Sequence, residues 1–256
     1  MRGSGQAPSA LLGVRNALRV LEVFSEENHV LGVSEIARRL NLPKSTTSRL
    51  VASLRSEDFL AATSAGKYRL GVRLVDRGLV AGHSHDLYDA ASAVLVDIRQ
   101  ATGFSTHFTV VEDGRLVQIH RLTSSDMNME RRGKQRSYLP FHATSTGKAI
   151  LAFSQAALVG KVLASRLQRF TDETITDAES LSAMIDRIRS NGYASARDEY
   201  IVGFSDVAVP ILNNSGVAVA ALTVIARSSK MTDRVIARAK TLLLNSARTV
   251  ARTTLR

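Results

Sequence analysis

Apolar and polar positions alternate with helical spacing over the first part of the chain and predict three helices there. The first is expected over Val14–Ser25, with a buried face of Val14, Leu18, Leu21 and Phe24. A short second helix is expected to begin at the N-cap Ser34 and to bury Ile36, Ala37 and Leu40. After a break at Asn41-Leu42-Pro43, a third helix is expected over Lys44–Ser56, burying Thr47, Leu50, Val51 and Leu54.

A hairpin signal follows these helices. Two short strands, Phe59–Thr63 and Lys67–Leu70, are separated by Ser64-Ala65-Gly66, whose small residues suit a turn. Two short helices joined by a tight turn and followed by a hairpin form the pattern of a winged helix-turn-helix. We therefore expect a DNA-binding domain over residues 12–71, preceded by a disordered Gly/Ser/Pro-rich tail over residues 1–11.

The remaining sequence predicts a linker helix and a second, larger domain. A helix over Val72–Ala81 is expected within a linker that spans residues 72–84. Residues 85–256 then alternate helices with short strands, and Asp113-Gly114 marks a tight turn between two of the strands. The fold class is thus α+β, with helices packed against a mixed or antiparallel sheet. The Met- and Arg-rich stretch Ser124–Ser137 is expected to be a loop.

The charge balance favours a polyanionic partner. The 256 residues carry a formal net charge of +11, and residues 1–80 hold +5 of it in less than a third of the length. A basic excess attracts polyanions, of which nucleic acid is the commonest in the cytoplasm. The chain has no cysteine, which excludes disulfides, thiol catalysis and cysteine-based zinc sites. No apolar run is long enough for a membrane span and no signal peptide is evident, so we expect a cytoplasmic protein.

The third helix supplies the candidates for base recognition. Its N-terminal part offers polar and cationic groups that can reach base edges and phosphates from the major groove: Lys44, Ser45, Thr46, Ser48 and Arg49. Lys67 and Arg69 on the hairpin would form a basic wing, and Arg15 and Arg19 on the first helix are candidates for phosphate contacts. The alternative from the residues alone is a small-molecule-binding enzyme or sensor whose winged helix packs on another protein.

Catalytic and metal-binding patterns are incomplete. Ser145-Thr146-Gly147-Lys148 has the Ser-x-x-Lys spacing of serine–lysine acyl enzymes, but the accompanying Ser-Asp-Asn and Lys-Thr-Gly strings are absent. Gly147-Lys148 lacks the upstream Gly and the following Ser or Thr of a P-loop. The six histidines form no metal-binding motif. We therefore expect no enzymatic activity, no cofactor and no bound metal.

Several short motifs resemble those of the IclR (isocitrate-lyase-regulator) family of transcription regulators. In the first domain they are Arg15–Leu21, Val33–Ala37, Leu42–Thr46, Arg49-Leu50 and Tyr68–Gly71. In the second domain they are Leu139–Thr144, Gly147–Ala152, Asp198-Glu199 with Gly203, Ala208–Pro210 and Ala220–Val224. The motifs are collinear from about residue 12 to residue 252, so the resemblance covers both domains.

The resemblance implies a winged helix joined by a linker helix to a GAF-like (profilin-like) α/β domain that binds an effector. It also implies homodimers or homotetramers on double-stranded operator DNA, acting as repressor or activator. A small organic acid or aromatic metabolite would modulate operator binding. Carried over by position, the effector-binding residues would be Ser145, Thr146, Asp206 and Thr223. A helix that begins near Thr146 would offer free backbone N–H groups to an anion.

The chain departs from the family pattern at two positions. Arg197 follows Ala196 where relatives often have small or acidic residues, and Ile225 replaces a polar residue that is common on that strand. The pocket is therefore expected to be less polar than in relatives. Arg197 is expected to be a candidate partner for a ligand carboxylate.

Overall fold

A computed structural model of the chain describes residues 9–25, 28–83, 86–124 and 138–254. Within it, the residues up to 83 form one compact unit and those from 86 onward form a second. Helix α1 begins at Ser9, so residues 9–11 continue a helix rather than the predicted disordered tail. Residues 1–8, and all but the first residue of the predicted loop Ser124–Ser137, lie outside the described residues.

The described residues of the first unit form four helices and a two-stranded antiparallel hairpin. Its elements are α1 (Ser9–Glu22), α2 (Val33–Leu40), α3 (Lys44–Ser56), β1 (Leu60–Ala62), β2 (Tyr68–Leu70) and α4 (Arg73–His83). The core of the unit consists of Val20, Phe24, Leu31, Ile36, Leu40, Val51 and Leu60. Leu31 also pairs with Tyr68 through two backbone hydrogen bonds, which ties the hairpin to the segment before α2.

The turn between α2 and α3 follows from its sequence. Asn41 ends α2 in the left-handed conformation (φ 53°, ψ 48°), which asparagine tolerates better than most residues. Pro43 then precedes α3 with φ −55°, a value fixed by its ring. The predicted break is confirmed, as is the burial of Ile36, Ala37 and Leu40 in α2.

Two details of the first unit differ from expectation. The N-cap of α2 is Gly32 and not Ser34, because Glu35 and Ile36 both donate their N–H groups to the Gly32 carbonyl and the helix begins at Val33. Helix α1 turns Val20 into the core, whereas Val14 and Leu18 are 59% and 56% exposed. Of the predicted face, Phe24 is buried and Leu21 packs against the core, so the prediction is confirmed for the C-terminal half of that face and wrong for the N-terminal half.

The second unit is a six-stranded antiparallel sheet with helices on both faces. Its helices are α5 (Asp86–Thr102), α6 (Ser145–Ala152), α7 (Ala156–Leu163), α8 (Ala178–Asn191) and α9 (Asp233–Thr254). Its strands are β3 (Ser105–Glu112), β4 (Arg115–Leu122), β5 (Tyr138–Leu139), β6 (Ala194–Arg197), β7 (Phe204–Leu212) and β8 (Ala218–Arg227). The strand order is β5-β4-β3-β8-β7-β6. The sequence did not predict β5, which has only two residues.

Alternation along β7 shows how the sheet separates two cores. Val207, Val209 and Ile211 belong to a large cluster with α5 and α9 on one face. Ala208 belongs to a cluster with α6 and α8 on the other face. Because successive strand residues point to opposite faces, neighbours on β7 serve different layers.

The turn chemistry of the second unit agrees with the sequence. Asp113 and Gly114 both have positive φ (48° and 69°), which the tight turn between β3 and β4 requires. Gly192 ends α8 in the left-handed conformation. No helix among the residues described is both long and apolar enough to cross a membrane.

Candidate functional site

Helix α3 presents a polar face at its N-terminus. Thr47 and Val51 are buried against the unit, while Lys44, Ser45, Thr46, Ser48 and Arg49 are exposed. Pro43 precedes the helix and supplies no side-chain cap. The first N–H groups of α3 therefore face outward with the positive end of the helix dipole, next to two cations. This arrangement suits a polyanion.

The other predicted DNA contacts fall into two groups. Lys67 and Arg69 on the hairpin and Arg15 on α1 are exposed. In the described part of the chain, none of these three cations is held by a carboxylate, and the same is true of Lys44 and Arg49. Arg19 is different, because its guanidinium donates to the Leu40 carbonyl at 3.3 Å and to Asn16 Oδ1 at 3.4 Å. Arg19 thus links α1 to the end of α2 and is less available to phosphates.

The second unit contains a small cavity on the α6 face of its sheet. Its polar lining residues are His107, Gln118, Thr144, Thr146, Tyr200, Asp206 and Thr223. Its apolar lining residues are Leu139, Ile201, Phe204 and Ile225. The cavity volume is about 30 Å³, which is room for about two water molecules. A larger guest would have to displace part of the wall.

Asp206 occupies the position at the α6 N-terminus that was predicted for an external anion. Its Oδ2 accepts hydrogen bonds from the Ser145 backbone N–H at 3.0 Å and from the Ser145 hydroxyl at 2.7 Å. The Thr144 hydroxyl caps the helix by accepting from the Gly147 N–H at 3.0 Å. The expectation of free N–H groups at this helix start is therefore wrong for Ser145 and Gly147, because a carboxylate and a hydroxyl of the protein itself already bind them.

The remaining predicted effector residues are separated by the sheet. Thr146 and Thr223 both line the cavity, and their hydroxyls are hydrogen bonded at 2.7 Å. Arg197 lies opposite Ser205 in the β6–β7 register. Because Ser205 and Asp206 are neighbours on β7, their side chains point to opposite faces of the sheet, and Arg197 lies on the face opposite to Asp206. Its guanidinium donates to the carbonyls of Ser228 and Met231, at 2.9 and 3.3 Å. The structure therefore places Arg197 away from the cavity, which corrects the expectation that it meets a ligand carboxylate.

A buried ion pair lies beside the cavity. Lys148 is fully buried, and its Nζ is 2.5 Å from Glu199 Oε1. Burial raises the pKa of Glu199, and the attraction of Lys148 offsets part of that rise. Glu199 Oε2 is buried and has no hydrogen-bond partner among the described residues. The nearby Asp206 raises the pKa of Glu199 further. This region therefore holds the ammonium group of Lys148 and two carboxyl groups, those of Glu199 and Asp206.

The same contacts argue against the Ser-x-x-Lys interpretation. The Ser145 hydroxyl donates to Asp206, and the Lys148 ammonium is held by Glu199, so the two groups do not act on each other. Among the described residues, no three His, Asp or Glu side chains are grouped so that they could hold a metal ion.

Four polar lining residues were missed at the sequence level. His107 and Gln118 come from β3 and β4, and Thr144 and Tyr200 come from loops. His107 lies opposite Thr223 in the β3–β8 register, a pairing that could be anticipated only with the strand order in hand. Pattern alone does not reveal strand order, because β3 and β8 are more than 100 residues apart in the chain.

Comparison with known proteins assigns a class to this arrangement. The model for the IclR helix-turn-helix domain matches residues 13–64, and the model described as the bacterial transcriptional regulator IclR C-terminal matches residues 80–252. A winged helix-turn-helix followed by this α/β unit defines a DNA-binding transcription regulator. The chain belongs to the IclR family of bacterial transcription regulators, which confirms the resemblance in its sequence.

Individual relatives extend over most of the chain. The HTH-type transcriptional regulator XynR of Escherichia coli is 30% identical over 228 residues, covering 88% of this chain and 89% of that protein. The regulator KdgR of Escherichia coli is 27% identical, covering 85% of this chain and 82% of that protein.

Solved structures agree with the fold. The IclR protein of Thermotoga maritima has a TM-score of 0.81 at 24% identity, covering 96% of this chain and 100% of that one. An IclR homologue of Microbacterium hydrocarbonoxydans complexed with 4-hydroxybenzoate has a TM-score of 0.81 at 27% identity, covering 94% of this chain and 98% of that one.

Proposed function

We propose that α3 is the recognition helix and reads operator DNA in the major groove. The observation that carries the proposal is the contrast within α3 itself, where Thr47 and Val51 are buried while Lys44, Ser45, Thr46, Ser48 and Arg49 are exposed. Cations and short hydroxyls can reach guanine edges and phosphates from a helix in the groove. Lys67, Arg69 and Arg15 are exposed and would add phosphate contacts beside it. A protein that acts on genomic DNA would work in the bacterial cytoplasm.

The test is operator binding by variants of α3, with an operator fragment selected from the promoter of the chain's own gene. Lys44→Ala or Arg49→Ala is expected to weaken binding by about 1–3 kcal/mol if the side chain reads a base, as measured by fluorescence anisotropy. Arg99→Ala is the matched control, because Arg99 is an exposed arginine on α5 of the other unit. Unchanged affinity in both α3 variants would contradict the assignment of the helix.

The first unit also offers a surface for pairing two copies of the chain. Exposed apolar residues lie on α1 (Leu12, Val14 and Leu18), directly before α4 (Val72) and along α4 (Val75, Leu79 and Val80). Such patches on a folded unit mark interaction surfaces. A homodimer formed there would set two copies of α3 about 34 Å apart, one turn of DNA, and would match a palindromic operator. Tetramers would need a further interface in addition to this one.

The cavity supports a second part of the proposal, which is control by a small effector. Asp206 and the threonine hydroxyls give the cavity acceptors near α6, so we infer that the effector presents a hydroxyl or other donor to Asp206. Leu139, Ile201, Phe204 and Ile225 would contact its apolar part. Hydroxylated aromatic or organic acids fit this description, and 4-hydroxybenzoate, found in the Microbacterium structure, is a reasonable first probe.

A thermal-shift screen of hydroxylated organic and aromatic acids tests the effector proposal, since a ligand that binds only the native state raises the Tm. The shift given by a hit is expected to shrink in Asp206→Asn and to persist in the exposed control Asp172→Asn. A hit that shifts the Tm of Asp206→Asn as much as that of the unmodified protein would contradict the assigned role of Asp206. The DNA-binding proposal would stand in either case.

A further inference from the structure

The last helix of the chain carries an unusual share of its charge. Helix α9 contains five cationic residues and one acidic residue, Asp233, within 22 positions. Its net charge of +4 compares with +11 for the whole chain of 256 residues. A helix that holds less than a tenth of the residues therefore holds more than a third of the net charge.

Four of these cations share one face of α9. The helix packs on the sheet through Ala239, Leu243, Ala247 and Val250. The exposed side carries what we name the arginine face: Arg234, Arg238, Arg248 and Arg252. At 100° per residue these four fall within an arc of about 80°, and they extend over about 27 Å of helix. The positions between them on this face, Thr241 and Asn245, are exposed and uncharged.

The arginine face is not neutralised by the part of the protein that the structure describes. Within the described ranges, none of its four guanidinium groups makes a hydrogen bond or an ion pair. Two other exposed arginines are paired, since Arg39 contacts Glu35 and Arg189 contacts Asp186, both at 2.8 Å. Four aligned and unpaired charges repel one another, so a partner that supplies several negative charges in a row would relieve that repulsion.

We propose that the arginine face of α9 binds the phosphate backbone of duplex DNA outside the segment read by α3. The proposal rests on the DNA-binding function proposed above, because operator binding is what brings duplex DNA to the protein. DNA carries one phosphate per 3.4 Å of each strand, so a row of arginines of this length meets several phosphates in succession. An acidic protein surface fits less well, because the face has no large apolar or aromatic residue to anchor a protein interface.

The test uses the full chain and exploits its lack of cysteine. The variant Asn245→Cys places a single thiol between Arg238 and Arg248, and the variant Gln100→Cys places one on the exposed side of α5 as a control. Both are labelled with an iron chelate that cleaves nearby DNA, and both are bound to operator DNA with long flanks. The α9 label is expected to cut the flanks beyond the nuclease footprint, whereas the α5 label is expected to cut little.

The outcomes separate the inference from the proposed function. A normal footprint without flank cleavage from the α9 label, or with equal cleavage from both labels, overturns the inference and leaves operator binding intact. Absence of any footprint in the unmodified protein removes the proposed function, and the inference with it.

A second measurement counts the contacts. The double variant Arg238→Ala/Arg248→Ala is compared with Arg99→Ala/Arg187→Ala, which removes two exposed arginines from other helices. The logarithm of the association constant falls linearly with the logarithm of the salt concentration. On flanked DNA, loss of two phosphate contacts is expected to make this slope less steep by about 1.8. The slope on the minimal operator is expected to stay the same. Equal slopes for the two double variants on flanked DNA would contradict the proposal.

Discussion

Two helix starts in this chain are similar in sequence and opposite in environment. Helix α3 begins with Lys44 and four hydroxyl residues, and α6 begins with Ser145 and Thr146 and reaches Lys148 within one turn. In α3 the lysine and all but one of the hydroxyl residues are exposed. In α6 all eight residues are buried, and the lysine is paired with Glu199.

The difference lies in what precedes and surrounds each helix. Pro43 leaves the α3 N-terminus uncapped, whereas Thr144 caps α6 and Asp206 binds its first N–H. Helix α6 also continues into Ala149, Ile150 and Leu151, which are fully buried between the sheet and α8. The same residue types are therefore exposed in one unit, where we propose that they bind an external polyanion, and form an internal polar network in the other. Their neighbours, and not their own chemistry, decide which.

The largest expected effect comes from breaking the buried pair. Lys148→Met leaves Glu199 as a buried charge without a partner, and such a loss destabilises proteins by about 3–5 kcal/mol. Urea denaturation measures the free energy of unfolding. The exposed counterpart Lys44→Met is expected to change it by less than about 0.5 kcal/mol. Similar losses in the two variants would show that the two helix starts do not differ as described.

A smaller effect is expected from the close packing of α6. A Cβ atom at Gly147 would lie 2.4 Å from both the Cα and the carbonyl oxygen of Phe141, so Gly147→Ala forces the backbone apart. Overpacking of this kind costs about 1–3 kcal/mol. Thr46 holds the equivalent third position of α3 and is exposed, so Thr46→Ala is the control and should be nearly neutral in urea denaturation. A neutral Gly147→Ala would mean that α6 can move away from Phe141.

The smallest expected effects have opposite pH dependence. Burial raises the pKa of Glu199 above its ordinary value of 4.5, so Glu199 makes the folded state less stable as the pH rises through that raised value. Hydrogen bonds from Ser180 lower the pKa of the N-cap Asp177 below 3.8, so Asp177 stabilises the fold at higher pH and loses that effect in acid.

Both effects are measured from the midpoints of urea denaturation over a series of pH values. The unmodified protein is compared with variants in which the carboxyl group is replaced by an uncharged amide. The stability of the unmodified protein relative to Glu199→Gln is expected to fall as the pH rises above 4.5, the ordinary pKa of the carboxyl group. Its stability relative to Asp177→Asn is expected to rise as the pH increases from strong acid. Slopes of the same sign in the two comparisons would mean that the direction of the pKa shift is wrong for either Glu199 or Asp177.

Local signals predicted the elements better than the contacts between them. Periodicity placed α2 and α3, and turn chemistry placed Asp113-Gly114, because each depends on neighbours in the chain. The exposure of Val14 and Leu18 could not be predicted, because α1 has apolar residues on two sides and its sequence alone does not show which side packs on the core.

The candidate cavity also shows that residue types were predicted better than the contacts between distant strands. Thr146, Asp206 and Thr223 were carried over from the family pattern and do line it. Arg197 was misplaced because the face it occupies depends on its register with Ser205, and His107 was missed because strand order is not local information. Sequence identifies residue types suited to a site, whereas pairing of distant strands decides which of them meet.

The wall of the cavity between Asp198 and Phe204 has a consequence for measurements of ligand affinity. Asp198 Oδ1 binds the Gly203 N–H at 2.6 Å and the Ser228 hydroxyl at 2.8 Å, and the Glu199 carbonyl accepts from Thr174 at 2.6 Å. These bonds favour the closed wall. If a guest larger than the cavity displaces this wall, its apparent dissociation constant will contain the fraction of molecules in which the wall is displaced as well as the contacts made afterwards. Gly203, at φ 85°, is a position where substitution by another residue would strain this wall, although Gly203 itself does not line the cavity.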